Sequence, residues 1–407
     1  MRKILICNLD LLRHSFNGYP ARIFEEVRNK FASFMNQLSI ESENIVCFVS
    51  RNSEKINIAK KIFDEYGYDK FIYKMREEIK YFIRENTALQ NYFVFISGKE
   101  VDFHLAVQTK ALFIVPLWIP TEEKARYYGV SVDSPKQLIK FIRTLNNHNC
   151  VYEYLNIELG VDLFALVDAR YKKFSSSQEE KEMLIAFEKI LKSGEKRNYY
   201  SILMYHFLAG MTRNNFLDDI ELYGMIPSSD GSVNLDLFNF MTQTRLIKGK
   251  RLPKNKLYEA EPQLQNLLIR HTAKQKAHKA YNFEQRMNMG CRDEFKTLCI
   301  NPAFKEKIEK LKKQKRFNVC IFDDYTTFGN SFNAVRNLLK YLGANKIVFI
   351  SLGSFAYSFI KNDYIIKGDV FSPYYEAELT SCDVLKNAIW DNNAKKEVNE
   401  LYDIFNS

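Results

Sequence analysis

The sequence predicts an α/β chain of two parallel-sheet domains joined by a helical region. Three observations carry this expectation. From Arg2 to about Asn149, short apolar runs alternate with amphipathic helical stretches, the pattern of βαβ units. The same pattern returns from about Tyr223 to Phe355, and the stretch between them has helical spacing. At 407 residues the chain also exceeds one ordinary core, so two or three domains are expected.

In the first region "KILICNL" predicts a strand, "ARIFEEVRNKFASFMNQL" a helix and "NIVCFVS" a second strand. "EKINIAKKIFDEYG" follows as a helix, with "NYFVFIS" and "KALFIVPLW" as further strands. From Val151 to roughly Asp219 the reading is helical, and "EEKEMLIAFEKILKSG" is its clearest segment. Ser177 precedes it as a cap and Gly194 closes it. In the third region "YGMIPSSDGS" ends an apolar segment in a loop, and "NVCIFDDYTTFGNS" runs from strand to loop. "FNAVRNLLKYLGA" is a helix and "NKIVFISLGSF" a strand, which completes one βαβ unit; the tail to Ser407 reads as helical. Domains are therefore expected at 1–149, 150–220 and 221–407, the outer two Rossmann-like, with ligands at the carboxyl ends of their strands.

Composition narrows the class. At 46% hydrophobic and 27% charged the chain can fill cores, which excludes disorder as the default. No apolar run reaches the roughly 18 residues of a membrane span. The opening "MRKILICNLDLL" reads as a strand and not a secretion signal, so a cytoplasmic protein with no membrane partner is expected. The seven cysteines are scattered without a CxxC, which excludes a zinc ribbon or a disulfide framework. A net charge of +10 points to an anionic partner. The basic residues concentrate in 248–256, 270–279 and 305–316; the last reads as a solvated helix face. Phosphate-rich small molecules and nucleic acid compete for the other two.

The stretch "VCIFDDYTTFGNSF" carries the chemistry. Asp323 and Asp324 sit side by side at the end of a buried strand, where unpaired carboxylates cost several kcal/mol by order of magnitude unless something compensates. The loop that follows offers hydroxyls and a glycine, through Thr326, Thr327, Gly329, Asn330 and Ser331, at the start of a helix whose free N–H groups favour phosphate. Diol hydroxyls or Mg²⁺ would neutralise the acid pair. The plainer alternative is a turn pair that caps the helix.

These residues resemble the signature of the type I phosphoribosyltransferases: an apolar strand, two acids, a Thr/Gly loop and a helix. The resemblance implies that Asp323 and Asp324 hold the ribose hydroxyls of phosphoribosyl pyrophosphate, that Asp324 helps hold Mg²⁺, and that the loop takes the 5′-phosphate. Phe328 departs from the family, which has a small polar residue there. "MIPSSDG", through Pro227, Ser228 and Ser229, resembles the pyrophosphate-binding loop. Residues 267–286 resemble the Arg…Thr-x-x-Gln…Arg segment of competence-associated members, through Arg270, Thr272, Gln275 and Arg286. Arg270 is thereby implied as stabiliser of the leaving pyrophosphate.

Residues 1 to 147 resemble the frame of the haloacid dehalogenase-like hydrolases. Asn8 stands where that family has its nucleophile, and an amide cannot form an aspartyl-phosphate. Asp10, Ser50 and Asp102 remain and Lys110 matches the family lysine, so Asp10 and Asp102 are candidate metal ligands in a domain without hydrolytic activity. Fusions of this kind resemble accessory proteins of bacterial anti-phage systems, including retron-associated effectors. That resemblance implies a reverse transcriptase and its nucleic acid as partners, within an oligomer or complex. The expected function is transfer or cleavage at a ribose anomeric carbon, on phosphoribosyl pyrophosphate or a nucleotide; the alternative is a sensor or scaffold that binds such a ligand without turnover.

Overall fold

The computed structural model describes residues 3–9, 11, 44–65, 67, 70–87, 92–148, 150–171, 176–212, 215–250, 262–274 and 291–406. The chain forms two compact units: Met1–Asn149 with Leu246–Gly249 and Ile404–Ser407, and Cys150–Arg245 with Lys250–Asp403.

The first unit is built on strands β1 (Lys3–Asn8), β2 (Ile45–Ser50), β3 (Ile72–Met75), β4 (Tyr92–Ile96), β5 (Leu112–Pro116) and β6 (Val130–Val132). Helices α1 (Ser53–Glu65), α2 (Ile79–Thr87), α3 (Glu100–Thr109), α4 (Glu123–Tyr128) and α5 (Pro135–Asn147) connect or follow them. All neighbours pair in parallel, in the order β3-β2-β1-β4-β5-β6. Strand order reverses between β1 and β4, where doubly wound sheets open a crevice at their carboxyl edge. β1 is buried along its whole length, as expected for a strand covered on both faces. Ile4, Ile6, Val49, Phe95, Phe103 and Phe113 belong to its core.

The second unit holds β7 (Glu153–Glu158), β8 (Val161–Asp168), β9 (Leu222–Met225), β10 (Leu268–Arg270), β11 (Leu298–Ile300), β12 (Asn318–Thr326), β13 (Lys346–Ser354), β14 (Ile360–Gly368), β15 (Tyr375–Val384) and β16 (Ile389–Trp390). Its helices are α6 (Gln178–Ser193), α7 (Tyr200–Thr212), α8 (Leu235–Ile247), α9 (Pro262–Gln265), α10 (Arg292–Phe295), α11 (Lys305–Lys313), α12 (Asn330–Tyr341) and α13 (Asn393–Asn406). The main sheet runs β16-β7-β8-β13-β12-β9. Its β8, β13, β12 and β9 are parallel neighbours, while β7 and β16 add antiparallel edges. Val319, Cys320, Ile321 and Phe322 are fully buried, which explains why β12 reads as an unbroken apolar run. Ile321, Phe349, Leu338 and Ile308 share the core beneath α11 and α12.

Two expectations are corrected here. The helical reading of 151–219 fails over its first part, because β7 and β8 form a hairpin whose second strand pairs with β13. Residues 150–220 thus contribute to the second unit's sheet, and α6 and α7 are what remains of the expected helical region. The tail is not helical throughout: β14 and β15 form an antiparallel pair, and only α13 is a helix of any length there. Other readings hold. The Ser177 hydroxyl accepts the Glu180 N–H at 3.1 Å and Gly194 closes α6. α11 buries Ile308 and Leu311 and leaves Lys305, Lys310 and Lys313 exposed, with Lys307 and Lys312 half-buried. No helix among the described residues is long and apolar enough to cross a membrane.

Candidate ligand site of the second unit

β9 and β12 run parallel, with Met225 beside Phe322. Ile226 donates its N–H to the Phe322 carbonyl at 2.8 Å, so the 226–232 loop leaves β9 beside the acid pair. The pair lies within β12 and not at its end, since the strand runs on through Thr326. The Asn266 side chain fixes this exit. It accepts the Met225 N–H at 2.9 Å and donates to the carbonyls of Met225 and Leu268 at 2.8 and 2.9 Å.

Each acid folds back on the next amide: Asp324 N–H donates to Asp323 Oδ1 at 2.9 Å, and Tyr325 N–H to Asp324 Oδ1 at 2.7 Å. The Asp323 carboxyl is pushed well above its usual range, first by burial, then by the charge of Asp324 and a hydrogen bond with it. Glu294 adds to the same effect. A carboxyl pushed up by burial and by an adjacent carboxylate is a fitting place for a divalent cation, whose charge would offset both. Carboxylate oxygens are the hard donors that Mg²⁺ takes, one or two at a time beside ligand phosphates. Asp323 and Asp324 therefore fit that ion.

The loop after β12 is held rather than open-ended. Gly329 caps α12 at φ +77°, and a Cβ there would overlap the Phe359 ring. Phe328 is buried with its ring 5.0 Å from Tyr357, and its carbonyl accepts the Ile360 N–H at 3.1 Å. The residue that departs from the family pattern thus ties the loop to the segment ahead of β14. Thr326 is buried, and Thr327, Asn330 and Ser331 are half-buried in the same turn.

Arg270 corrects an expectation. Its side chain is fully buried, and its guanidinium donates to the Ser228 carbonyl at 2.9 Å, the Pro227 carbonyl at 3.3 Å, Thr297 Oγ1 at 2.5 Å and Glu294 Oε2 at 2.8 Å. With its donors committed inward, Arg270 positions the 226–232 loop and does not face a leaving group. Ser229 accepts Lys274 N–H at 2.7 Å through its carbonyl, which docks the following segment on that loop. Gln275 and Arg286 lie outside the described residues.

Glu294 is the residue that sequence reasoning missed. Almost fully buried on the four-residue α10, it accepts from Arg270, from the Lys274 ammonium and from the Ser331 hydroxyl at 2.6 Å. Burial would raise its pKa, but Lys274 and Arg270 outweigh this and hold it below the usual range. In "CRDEF" nothing distinguishes it from a surface turn acid, so no sequence signal was there to find.

In the first unit Asp102 is also not the cation ligand expected. Its buried carboxylate accepts Arg76 Nε at 2.7 Å, Asn8 Nδ2 at 2.7 Å and Ser97 Oγ at 2.6 Å. A guanidinium already neutralises it, so these residues do not fit Mg²⁺. Asp10 lies outside the described residues. Lys110 caps the C-terminus of the helix whose first turn holds Asp102, about 12 Å away along its axis at 1.5 Å per residue.

Comparison with family models, with curated proteins and with solved structures returns no match.

Proposed function

We propose that the second unit binds phosphoribosyl pyrophosphate or a nucleotide with Mg²⁺ and acts at the ribose anomeric carbon, as a type I phosphoribosyltransferase-like enzyme in the cytoplasm. The observation that carries the reading is the placement of two adjacent acids between two anchored loops on one carboxyl edge of a parallel sheet. In this reading Asp323 and Asp324 face the ribose diol and the cation, and the 327–331 turn meets the 5′-phosphate at the start of α12. The bond from C1′ to pyrophosphate breaks as a bond to an acceptor forms, and the acid pair offsets the charge that develops on the sugar. Mg²⁺, when bound, would neutralise the pyrophosphate.

A second reading is favoured by one observation: Arg270, Lys274 and Ser331 already bond to Glu294. A site whose cations are paired internally suits a sensor, where ligand binding breaks the Glu294 contacts and alters a partner surface. A nucleotide-targeting role in anti-phage defence, held by a reverse transcriptase and its nucleic acid, is compatible with either reading.

Pyrophosphate release from phosphoribosyl pyrophosphate, assayed with a panel of nucleobases and nucleotides, separates them. Release abolished in Asp323→Asn/Asp324→Asn supports the enzyme; tight binding without release supports the sensor; neither binding nor release removes both.

A further inference from the structure

The first unit has a second feature at the carboxyl edge of its own sheet. A cavity of about 610 Å³ opens among the segments that follow β2, β3 and β4. Arg51, Arg76 and Lys80 bring positive charge to its wall, against the single carboxylate of Glu77. Met75, Val101 and Leu105 supply an apolar side. We propose that this cavity binds a phosphorylated small molecule with an apolar body, of about the size of a nucleoside monophosphate.

The cationic wall is built, not incidental. Arg76 is fixed by Asp102, with Nε at 2.7 Å and Nη2 at 3.5 Å, and Asp102 is in turn fixed by Asn8 and Ser97. Two of the five guanidinium donors are spent there, and the fork is oriented before any ligand arrives. The turn that carries Arg51 is set by Ser50 Oγ, which accepts Asn52 N–H at 3.1 Å, and by Asn52 Oδ1, which accepts Glu54 N–H at 2.9 Å. The turn into Arg76 is set by Glu78, which accepts Met75 N–H at 2.8 Å. No carboxylate among the described residues pairs with Arg51 or Lys80. Cations on fixed turns at the mouth of a parallel sheet favour a compact anion. The volume falls within the range of about 300–1,000 Å³ typical of small-molecule sites and exceeds what bare phosphate fills. The sign of the charge also separates this site from the cation once expected at Asp102.

The inference concerns the first unit alone and is independent of the function proposed for the second. Its test uses the full chain carrying Asp323→Asn/Asp324→Asn, so that the acid-pair site does not contribute. Adenosine 5′-monophosphate, ribose 5-phosphate, inorganic phosphate and adenosine are titrated by calorimetry. Binding of at least one of the two phosphorylated organic probes is expected, tighter than inorganic phosphate and adenosine. Arg51→Glu/Lys80→Glu, at exposed positions, should weaken it about tenfold or more, the loss of charge-assisted contacts, without moving the melting temperature. Lys60→Glu/Lys61→Glu, the same charge change on the exposed part of α1, should leave it intact. Silence from both phosphorylated organics, equal affinity for inorganic phosphate, or an affinity that Arg51→Glu/Lys80→Glu leaves unchanged would overturn the proposal.

Discussion

At the residue scale, Gly329 and Asp323 make opposite demands on the same loop. Gly329 holds a left-handed backbone with its α-carbon against the Phe359 ring. Gly329→Ala is expected to cost about 2–4 kcal/mol, backbone strain plus overlap, seen as a lower urea midpoint. Phe359→Ala in the same chain should return only the overlap part. Asp323 has a folded-state pKa above its unfolded value. Its stabilising contribution is therefore complete below the unfolded pKa, about 3.9, and is lost as pH rises through the folded value. Asp323→Asn removes that loss, so the variant should melt above the natural protein at pH 7, with the gap closing toward pH 4. An equal gap across that range would mean that the carboxyl is not held protonated by its surroundings. A residue that costs stability while facing a ligand edge is the usual signature of function.

At the scale of elements, the seam between α12 and β14 is held by polar side chains. Asn333 donates to the Ile360 carbonyl at 2.5 Å, Asn337 donates to the Asn362 carbonyl at 2.9 Å, and Tyr364 N–H donates to Asn337 Oδ1 at 3.0 Å. These amides stand in for a neighbouring strand. Arg336, fully buried, joins Glu158 at 3.0 Å, the Asn362 carbonyl at 2.8 Å and Asp363 at 2.6 Å. Against the burial that would raise it, hydrogen bonds from Lys361 and Arg336 hold the Asp363 carboxyl down at about 2. Arg336→Ala should cost about 2–4 kcal/mol by denaturant unfolding, because it leaves a cavity beneath α12 and removes the donor to the Asn362 carbonyl. This seam explains what the sequence concealed. The β12–loop–α12–β13 unit was legible because four buried apolar residues, a glycine turn and an amphipathic helix each have a local period. β14 and β15 were not, since part of their support comes from polar residues on the buried side of a helix, which local pattern reads as solvated. β8 was missed for a related reason: besides β7 it pairs with β13, nearly two hundred residues on. At the site, the acid pair was legible from adjacency alone, while the inward commitment of Arg270 depends on Glu294, Thr297 and the 227–228 carbonyls meeting around it in space.

At the scale of the molecule, each unit has a cluster of charged residues at the carboxyl edge of a sheet built largely or wholly from parallel strands, cationic in the first unit and mixed in the second. The first unit's edge carries the Arg51, Arg76 and Lys80 wall; the second unit's carries Asp323, Asp324 and Glu294 with the basic residues that meet them. The net charge of +10 is therefore not spread evenly over the candidate sites. In the proposed function the acid pair and its two loops form a Mg²⁺-dependent cradle for a phosphoribosyl ligand. Calorimetric titration of the full chain with phosphoribosyl pyrophosphate, with Mg²⁺ and with excess chelator, tests it most directly. Saturable binding is expected with Mg²⁺, weakened by chelator and abolished by Asp323→Asn/Asp324→Asn, while Arg51→Glu/Lys80→Glu leaves it in place. Binding that survives loss of both acids, or no binding with Mg²⁺ present, would contradict it.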